Sequence, residues 1–136
     1  LGKDLEEFTV EMGANVNSIK NILGESSVSI DSYEKTASIE PYKAEAGSAL
    51  FTKLQSIIDD EKTLDDLNTT VLEVHLWDEV EATPGAYVAY RENAVIEVKS
   101  YGGDTSAYQI PFDLHMSGSR VKGTFVLATK AFTADA

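Results

Sequence analysis

Residues 71–128 read VLEVHLWDEVEATPGAYVAYRENAVIEVKSYGGDTSAYQIPFDLHMSGSRVKGTFVLA, and this stretch decides the fold. Apolar and polar residues alternate in five segments within it: residues 71–77, 86–92, 94–99, 106–116 and 120–128. Turn-forming residues separate several of the segments, namely Pro84-Gly85, Gly102-Gly103 and Ser117-Gly118-Ser119. A period of two is typical of half-buried strands, so the stretch predicts a run of antiparallel strands joined by tight turns.

Each predicted strand has one face that we expect to enter the core. The inward set is Leu72, Val74, Leu76, Val88, Tyr90, Ala94, Ile96, Val98, Tyr108, Ile110, Phe112, Leu114, Val121, Phe125 and Leu127. The outward set includes Glu73, His75, Trp77, Tyr87, Ala89, Val95, Glu97, Asp113 and His115. Four of the outward residues are apolar or aromatic, which favours a surface covered by another subunit. The alternative is that these four residues are buried in a core larger than the alternation predicts.

One strong helix is predicted between residues 44 and 60. Leu50, Leu54, Ile57 and Ile58 recur at i, i+4, i+7 and i+8, and we expect this apolar stripe to pack the helix onto a sheet. Ser48 or Gly47 is the candidate for its start. The acidic run at residues 59–61 predicts its end, because the helix dipole disfavours negative charge at the C-terminus.

The remaining segments complete a mainly β fold. Residues 7–12 alternate and predict a strand, and residues 28–39 predict one or two more that Pro41 stops. Residues 13–24 are rich in Asn and Ser and predict a short helix or an ordered loop, whereas residues 129–136 predict a loose tail. The expected architecture is two packed antiparallel sheets, a sandwich or barrel, flanked by one α-helix in a single domain over residues 1–136. Because residue 1 is leucine, an N-terminal segment could be missing.

The composition excludes several function classes. The chain of 136 residues contains no cysteine, so disulfides, thiolate nucleophiles and Cys-ligated metal sites are excluded. It carries 23 acidic and 11 basic residues, for a formal net charge of −12. So acidic a surface repels phosphates and anionic lipid, which argues against a conventional nucleic-acid or membrane binder.

No pattern in the sequence indicates catalysis, a cofactor or a metal. The two histidines, His75 and His115, lie on outward faces and lack the HExxH spacing of a zinc protease. The acidic cluster at residues 59–66 lacks the spacing of a calcium loop, and Gly102-Gly103 does not open a helix as a phosphate-binding loop would. We therefore expect a protein that is not an enzyme. The alternative is a small enzyme or sugar-binding sandwich that uses His75 or His115 with carboxylates.

Several segments together resemble a known family. They are GESSVSIDSYEKT (24–36), IEPYKAEAGSALF (39–51), AYRENAVIEV (89–98), GGD (102–104), YQIPFDLH (108–115) and RVKGTF (120–125). Their order and pattern resemble the tail tube (major tail) proteins of long-tailed bacteriophages and of phage-derived particles, over most of residues 20–128.

The resemblance implies a structural role. Members of this family have two packed antiparallel sheets flanked by one helix, and they form rings, usually of six subunits, that stack into a hollow tube. The N-terminal part and one long loop commonly make the contacts between rings. The implied partners are further copies of this chain, other tail proteins, and DNA only as passing cargo; no cofactor, catalytic residue or membrane is implied. The implied location is the virion tail, after assembly in the cytoplasm of a bacterial host.

The resemblance and the charge together predict an acidic channel. An acidic wall would repel the phosphates of passing DNA and so would not retain it. The candidates for lumen or interface positions are Glu73, His75, Trp77, Glu97 and Asp113. The alternative function is another β-sandwich module of a virion or surface, such as a capsid-decorating protein or an adhesin-like domain.

Overall fold

The computed structural model describes residues 5–135 and shows a mainly β chain with one α-helix, about 58% of it in strands. The elements are β1 (Leu5–Glu11), β2 (Ala14–Lys20), β3 (Ser26–Tyr33), β4 (Thr36–Tyr42), α1 (Ala49–Asp60), a 3₁₀ helix (Leu64–Leu67), β5 (Asn68–Glu79), β6 (Ala86–Val98), β7 (Gly102–Gly103), β8 (Tyr108–Gln109), β9 (Phe112–Val126) and β10 (Ala131–Ala134). The prediction of a mainly β fold with one helix is therefore confirmed.

The strands form one large antiparallel sheet and two small ones. The large sheet has the order β1-β4-β9-β6-β5, and β10 pairs with β9. The hairpin β2-β3 and the pair β7-β8 are separate two-stranded sheets. The chain divides into two compact units, unit 1 with residues 5–67 and 95–116, and unit 2 with residues 68–94 and 117–135. Strands β6 and β9 contribute residues to both units.

The core of unit 1 lies on one face of its sheet. In the register of β4 and β9, Ala37 pairs with Leu114 and Ile39 with Phe112, and all four side chains are buried. Ile96 of β6 is buried as well. The residues between them point to the opposite face because side chains alternate along a strand. The alternation of the sequence predicts this division, and the polar face it leaves carries one candidate site.

Helix α1 is capped at both ends, by Ser48 and by Glu61. Ser48 is the N-cap, and its Oγ accepts a hydrogen bond of 3.1 Å from the backbone N–H of Phe51. Glu61, with φ 47°, follows the last helical residue in the left-handed conformation that often ends helices. Of the four residues predicted to pack this helix, Leu54 and Ile57 are buried, and Leu50 and Ile58 are half-buried.

The segment at residues 13–24 is neither the helix nor the loop that its composition predicts. It forms β2 and the turn of an antiparallel hairpin with β3, and every residue of the two strands is exposed. Asn21 shapes the turn, since its Oδ1 accepts hydrogen bonds of 3.0 Å from the N–H groups of Leu23 and Glu25. The apolar residues of β2, Val16 and Ile19, do not keep a period of two, so the periodicity gives no strand signal in this segment.

The exposure of residues on β5 and β6 in unit 2 differs from the prediction. Leu72 and Leu76, predicted to be inward, have 37% and 63% of their surface exposed, whereas Ala89, predicted to be outward, is fully buried. Strict alternation fails along β6 because its buried residues do not keep a period of two; they are Ala86, Ala89, Glu92, Ala94 and Ile96. Isolated exposed leucines are ordinary, but these two lie on one strand at an edge of the sheet.

Strands are longer than the turn signals predict. Residues 86–98 form one strand, and β9 continues through Ser117-Gly118-Ser119, where Gly118 adopts φ +74° within the strand. Pro41 lies inside β4 and does not end it. A glycine such as Gly118 in a strand can accommodate an irregularity without a turn.

The tail predicted to be loose contains β10, whose Ala131–Ala134 pair with residues 123–126 of β9.

Gly123 is required for β10 to lie against β9. A Cβ at this position would lie 2.6 Å from Cζ of Phe132 and closer still to the carbonyl oxygen of Thr133. Gly123→Ala is therefore expected to displace β10 and to lower the free energy of unfolding by about 1–3 kcal/mol. Urea titration measures this loss, with the exposed Lys122→Ala as the control. Equal stability of the two variants would contradict the close approach.

Candidate functional site

The polar face of unit 1 brings together residues from three strands. Asp113 and His115 lie two positions apart on β9, so both point away from the core side occupied by Phe112 and Leu114. Glu97 lies on the neighbouring strand β6. On the other side of β9, Ser38 of β4 lies opposite Asp113 in the register. We call Glu97, Asp113 and His115 the carboxylate–histidine cluster.

The three side chains of this cluster converge on one point. A carboxylate oxygen of Glu97, one of Asp113 and a ring nitrogen of His115 all lie within 4.8 Å of one another. Nε2 of His115 is 2.6 Å from Oε2 of Glu97. Asp113 is only 9% exposed, and no group among the described residues donates a hydrogen bond to its Oδ1. A buried carboxylate oxygen without a partner is costly and requires an explanation.

Lys99 supplies the positive charge beside the cluster. Its Nζ lies 3.1 Å from Oε1 of Glu40 and 3.7 Å from Oδ2 of Asp113. The hydrogen bond to Glu40 and the charge of Asp113 raise the pKa of the Lys99 ammonium above its ordinary value. Among the described residues, the carboxylates of Glu40, Glu97 and Asp113 therefore have one neighbouring lysine, which leaves an excess of negative charge around the cluster.

The structure thus brings two of the predicted site residues, Glu97 and Asp113, into one cluster. The side chain of Glu97 is 56% exposed, as a lumen or interface position would require. Asp113 is on the predicted face, but it is buried, so the exposure expected of it is wrong. His115 enters the sequence analysis only through the alternative that combines it with carboxylates, and Lys99 was missed as a neighbour of the cluster. The pairing of β6 with β9, which brings these residues together, cannot be inferred from either strand alone.

The other three predicted site residues form a second cluster, in unit 2. Glu73, His75 and Trp77 share one face of β5, and the His75 ring stacks on Trp77 with centroids 4.5 Å apart. Nε2 of His75 is 2.6 Å from Oε1 of Glu73, and Nη2 of Arg120 is 3.0 Å from the same oxygen. Arg120 also lies over the Tyr90 ring, 4.0 Å from its centroid. We call these five residues the β5 cluster.

The β5 cluster has the composition of a protein-binding surface. Tryptophan, tyrosine and arginine dominate the binding energy of interfaces, and Trp77 is 80% exposed here. Hydrogen bonds and ring contacts hold Glu73, His75 and Arg120 in place, so binding would order few side chains. Tyr90 and Arg120 were missed as members. Their membership depends on which strands lie next to β5, and the alternation of the sequence does not give that order.

Glu73 gives unit 2 a measurable dependence on pH. Burial raises the pKa of this carboxyl, but the hydrogen bond with His75 and the charge of Arg120 outweigh that effect and lower the pKa below its ordinary 4.5. A carboxyl with a depressed folded-state pKa stabilises the fold above the unfolded pKa, and the contribution is lost as the pH falls through the folded pKa. The side chain is 48% exposed, so about 0.5–1 kcal/mol is the expected size.

We therefore expect Glu73→Gln to destabilise the protein at pH 7 and to have a smaller effect at pH 3.5. Urea titrations of both proteins at the two pH values measure the difference. In an Arg120→Gln background the same substitution should cost less at pH 7, because the partner charge is gone. An effect of Glu73→Gln that grows on acidification would contradict the assigned direction.

Comparison with known proteins adds no assignment to these two clusters. The chain matches no protein-family model, and no curated protein is similar to it.

Among residues 5–135, no helix has both the length and the apolar character needed to cross a membrane.

Proposed function

We propose that this chain is a self-assembling structural subunit, a tail tube protein whose copies form stacked rings. The observation that carries the proposal is the exposed hairpin β2-β3. All 15 residues of its two strands are exposed, and both its turn and its strands bear large apolar side chains. These are Val16, Ile19, Ile22, Leu23, Val28, Ile30 and Tyr33.

The hairpin has the properties of a segment that another copy covers. Val16 pairs with Ile30, and Val28 lies two residues before Ile30 on the same strand, so these three side chains lie on one face of the hairpin. Each of them is at least 53% exposed. An isolated two-stranded hairpin is marginally stable in water, and a partner that buries the apolar face would stabilise it. A long exposed hairpin also fits the contact between stacked rings that the family resemblance implies.

A second surface supports contacts within a ring. Strand β5 lies at one end of the strand order, and it carries Leu76 and Trp77, which are 63% and 80% exposed. A long edge strand with exposed apolar residues tends to pair with another chain. In the proposed assembly a neighbouring subunit covers this edge and the β5 cluster. The two packed sheets of a tail tube subunit are part of the same proposal.

The charge of the chain is suited to a conduit for DNA. Each of the six subunits in a proposed ring would bring a formal charge of −12, and Glu97 is the exposed candidate for the wall, whereas Glu73 belongs to the covered β5 cluster. An acidic wall repels the phosphate backbone and does not hold it in transit. Buried Asp113 would contribute to the potential but not to the surface that DNA meets.

Electron microscopy tests the proposal directly. Negative-stain images of the purified protein are expected to show rings or short tubes, and sedimentation velocity is expected to show species much larger than 14.8 kDa. A protein that stays monomeric at every concentration would contradict self-assembly. That outcome would favour the alternative module, such as a capsid-decorating protein, whose hairpin binds a different partner.

Assembly is expected to increase with salt. Subunits of charge −12 repel one another, and the Debye length falls from about 30 Å at 0.01 M salt to about 8 Å at 0.15 M. Sedimentation velocity across this range should therefore show larger species at the higher salt concentration. Assembly that weakens steadily with salt would instead indicate attractive ion pairs at the contacts, with Arg91, Lys99, Arg120 and Lys122 as the candidate cations.

A further inference from the structure

We propose that Glu97, Asp113 and His115 bind one divalent transition-metal ion, with Zn²⁺ as the closest match. The site would have two carboxylate oxygens and one imidazole nitrogen as ligands, with a position left for water. The three ligands belong to unit 1 of a single chain, so the proposal does not depend on assembly.

The geometry already gathers the ligand atoms. In a tetrahedral zinc site with bonds of about 2.1 Å, ligand atoms lie about 3.4 Å apart. Here the three atoms lie within 4.8 Å of one another, and Nε2 of His115 is 2.6 Å from Oε2 of Glu97. Separations of this size need shifts of about 1 Å. Side-chain rotation supplies such shifts for Glu97 and His115, which are 56% and 48% exposed.

The cluster also has an oxygen that lacks a partner. Within residues 5–135, no hydrogen bond reaches the buried Oδ1 of Asp113, and Lys99 approaches only the other oxygen, at 3.7 Å. Polar groups that are this well buried are almost always satisfied. A cation bound between Asp113 and Glu97 would satisfy Oδ1, and it would offset the repulsion between the two carboxylates.

The donor set indicates which ion fits. Imidazole favours zinc and other later transition metals, whereas Mg²⁺ and Ca²⁺ prefer oxygen ligands alone. The β5 cluster provides a contrast, since it has a Glu73–His75 pair with the same 2.6 Å distance. There Arg120 lies 3.0 Å from the Glu73 oxygen, closer than the 3.7 Å between Lys99 and Asp113, and no third carboxylate or imidazole among the described residues completes a ligand set.

Isothermal titration of the metal-free protein with ZnCl₂ tests the site, with MgCl₂ and CaCl₂ as separate titrants. One Zn²⁺ per chain is expected, with much weaker binding of Mg²⁺ and Ca²⁺. His115→Gln and Asp113→Asn should each weaken Zn²⁺ binding by at least about tenfold, since each removes one of three ligands. His75→Gln is the matched control, and it should leave the affinity unchanged.

Several results would overturn the proposal. They are the absence of a stoichiometric Zn²⁺ site in the wild-type chain, an affinity that His115→Gln and Asp113→Asn leave unchanged, or an equal loss in His75→Gln. Far-UV circular dichroism checks that each variant is folded. If Asp113→Asn does not fold, Glu97→Gln, at an exposed position, tests the same carboxylate pair and should weaken Zn²⁺ binding by a similar factor.

Discussion

Leu54→Ala is expected to lower the free energy of unfolding by about 2–5 kcal/mol, the cost of removing a fully buried leucine side chain. Leu54 is 0% exposed and lies in the middle of α1, one turn before buried Ile57. Its removal takes apolar surface out of the core and leaves a cavity that the helix can close only in part. Urea denaturation followed by circular dichroism measures the change in unfolding free energy.

Leu64→Ala is the matched control, because the same side chain is removed from a position that is 84% exposed. Its effect should stay within about 0.5 kcal/mol. Leu50→Ala, at a half-buried position of the predicted stripe, should fall between the two. A loss below about 0.5 kcal/mol for Leu54→Ala would show that the helix does not pack through this stripe.

The parts of the fold that the sequence predicts are those with one covered face. Phe112 and Leu114 alternate with Asp113 and His115, and the structure buries the first pair on the core side. The helix is visible for the same reason, since its apolar residues recur at the helical period and Ser48 provides a cap. In both cases the burial of one face requires apolar residues at the period of the strand or helix, and that period is visible in the sequence.

The parts that the sequence does not predict have no such period or depend on distant pairing. Strand β2 is exposed on both faces and its apolar residues do not alternate, and β10 is only four residues long, so neither has a clear pattern. Strand β3, by contrast, lies in the segment that the alternation of Val28 and Ile30 predicts to be a strand. The carboxylate–histidine cluster depends on β6 lying beside β9. That adjacency is set by the whole sheet, so separate inspection of Glu97 and His115 cannot reveal their hydrogen bond.

The triple variant Val16→Thr, Val28→Thr, Ile30→Thr is expected to abolish assembly at concentrations where the wild-type chain forms rings or tubes. Threonine keeps the β-branched shape that strands favour, but it places a hydroxyl in each proposed contact. Burial of a hydroxyl without a partner costs about 1–3 kcal/mol. Each 1.4 kcal/mol raises the concentration needed for assembly by about tenfold, so three sites should leave monomers. Sedimentation velocity measures the loss of large species.

The opposite face of the same hairpin provides the control. Asn17, Ser27 and Ser29 point away from the apolar stripe, and their replacement by threonine introduces three threonines without removing an apolar contact. This control variant should assemble as the wild-type chain does. Since all six positions are exposed, neither triple variant should change the cooperative unfolding of the remaining fold by much. Normal assembly of the Val16, Val28 and Ile30 variant would contradict a role for the stripe. Equal loss in both variants would show that any change in the hairpin disrupts assembly, and the contact would then depend on its backbone edges.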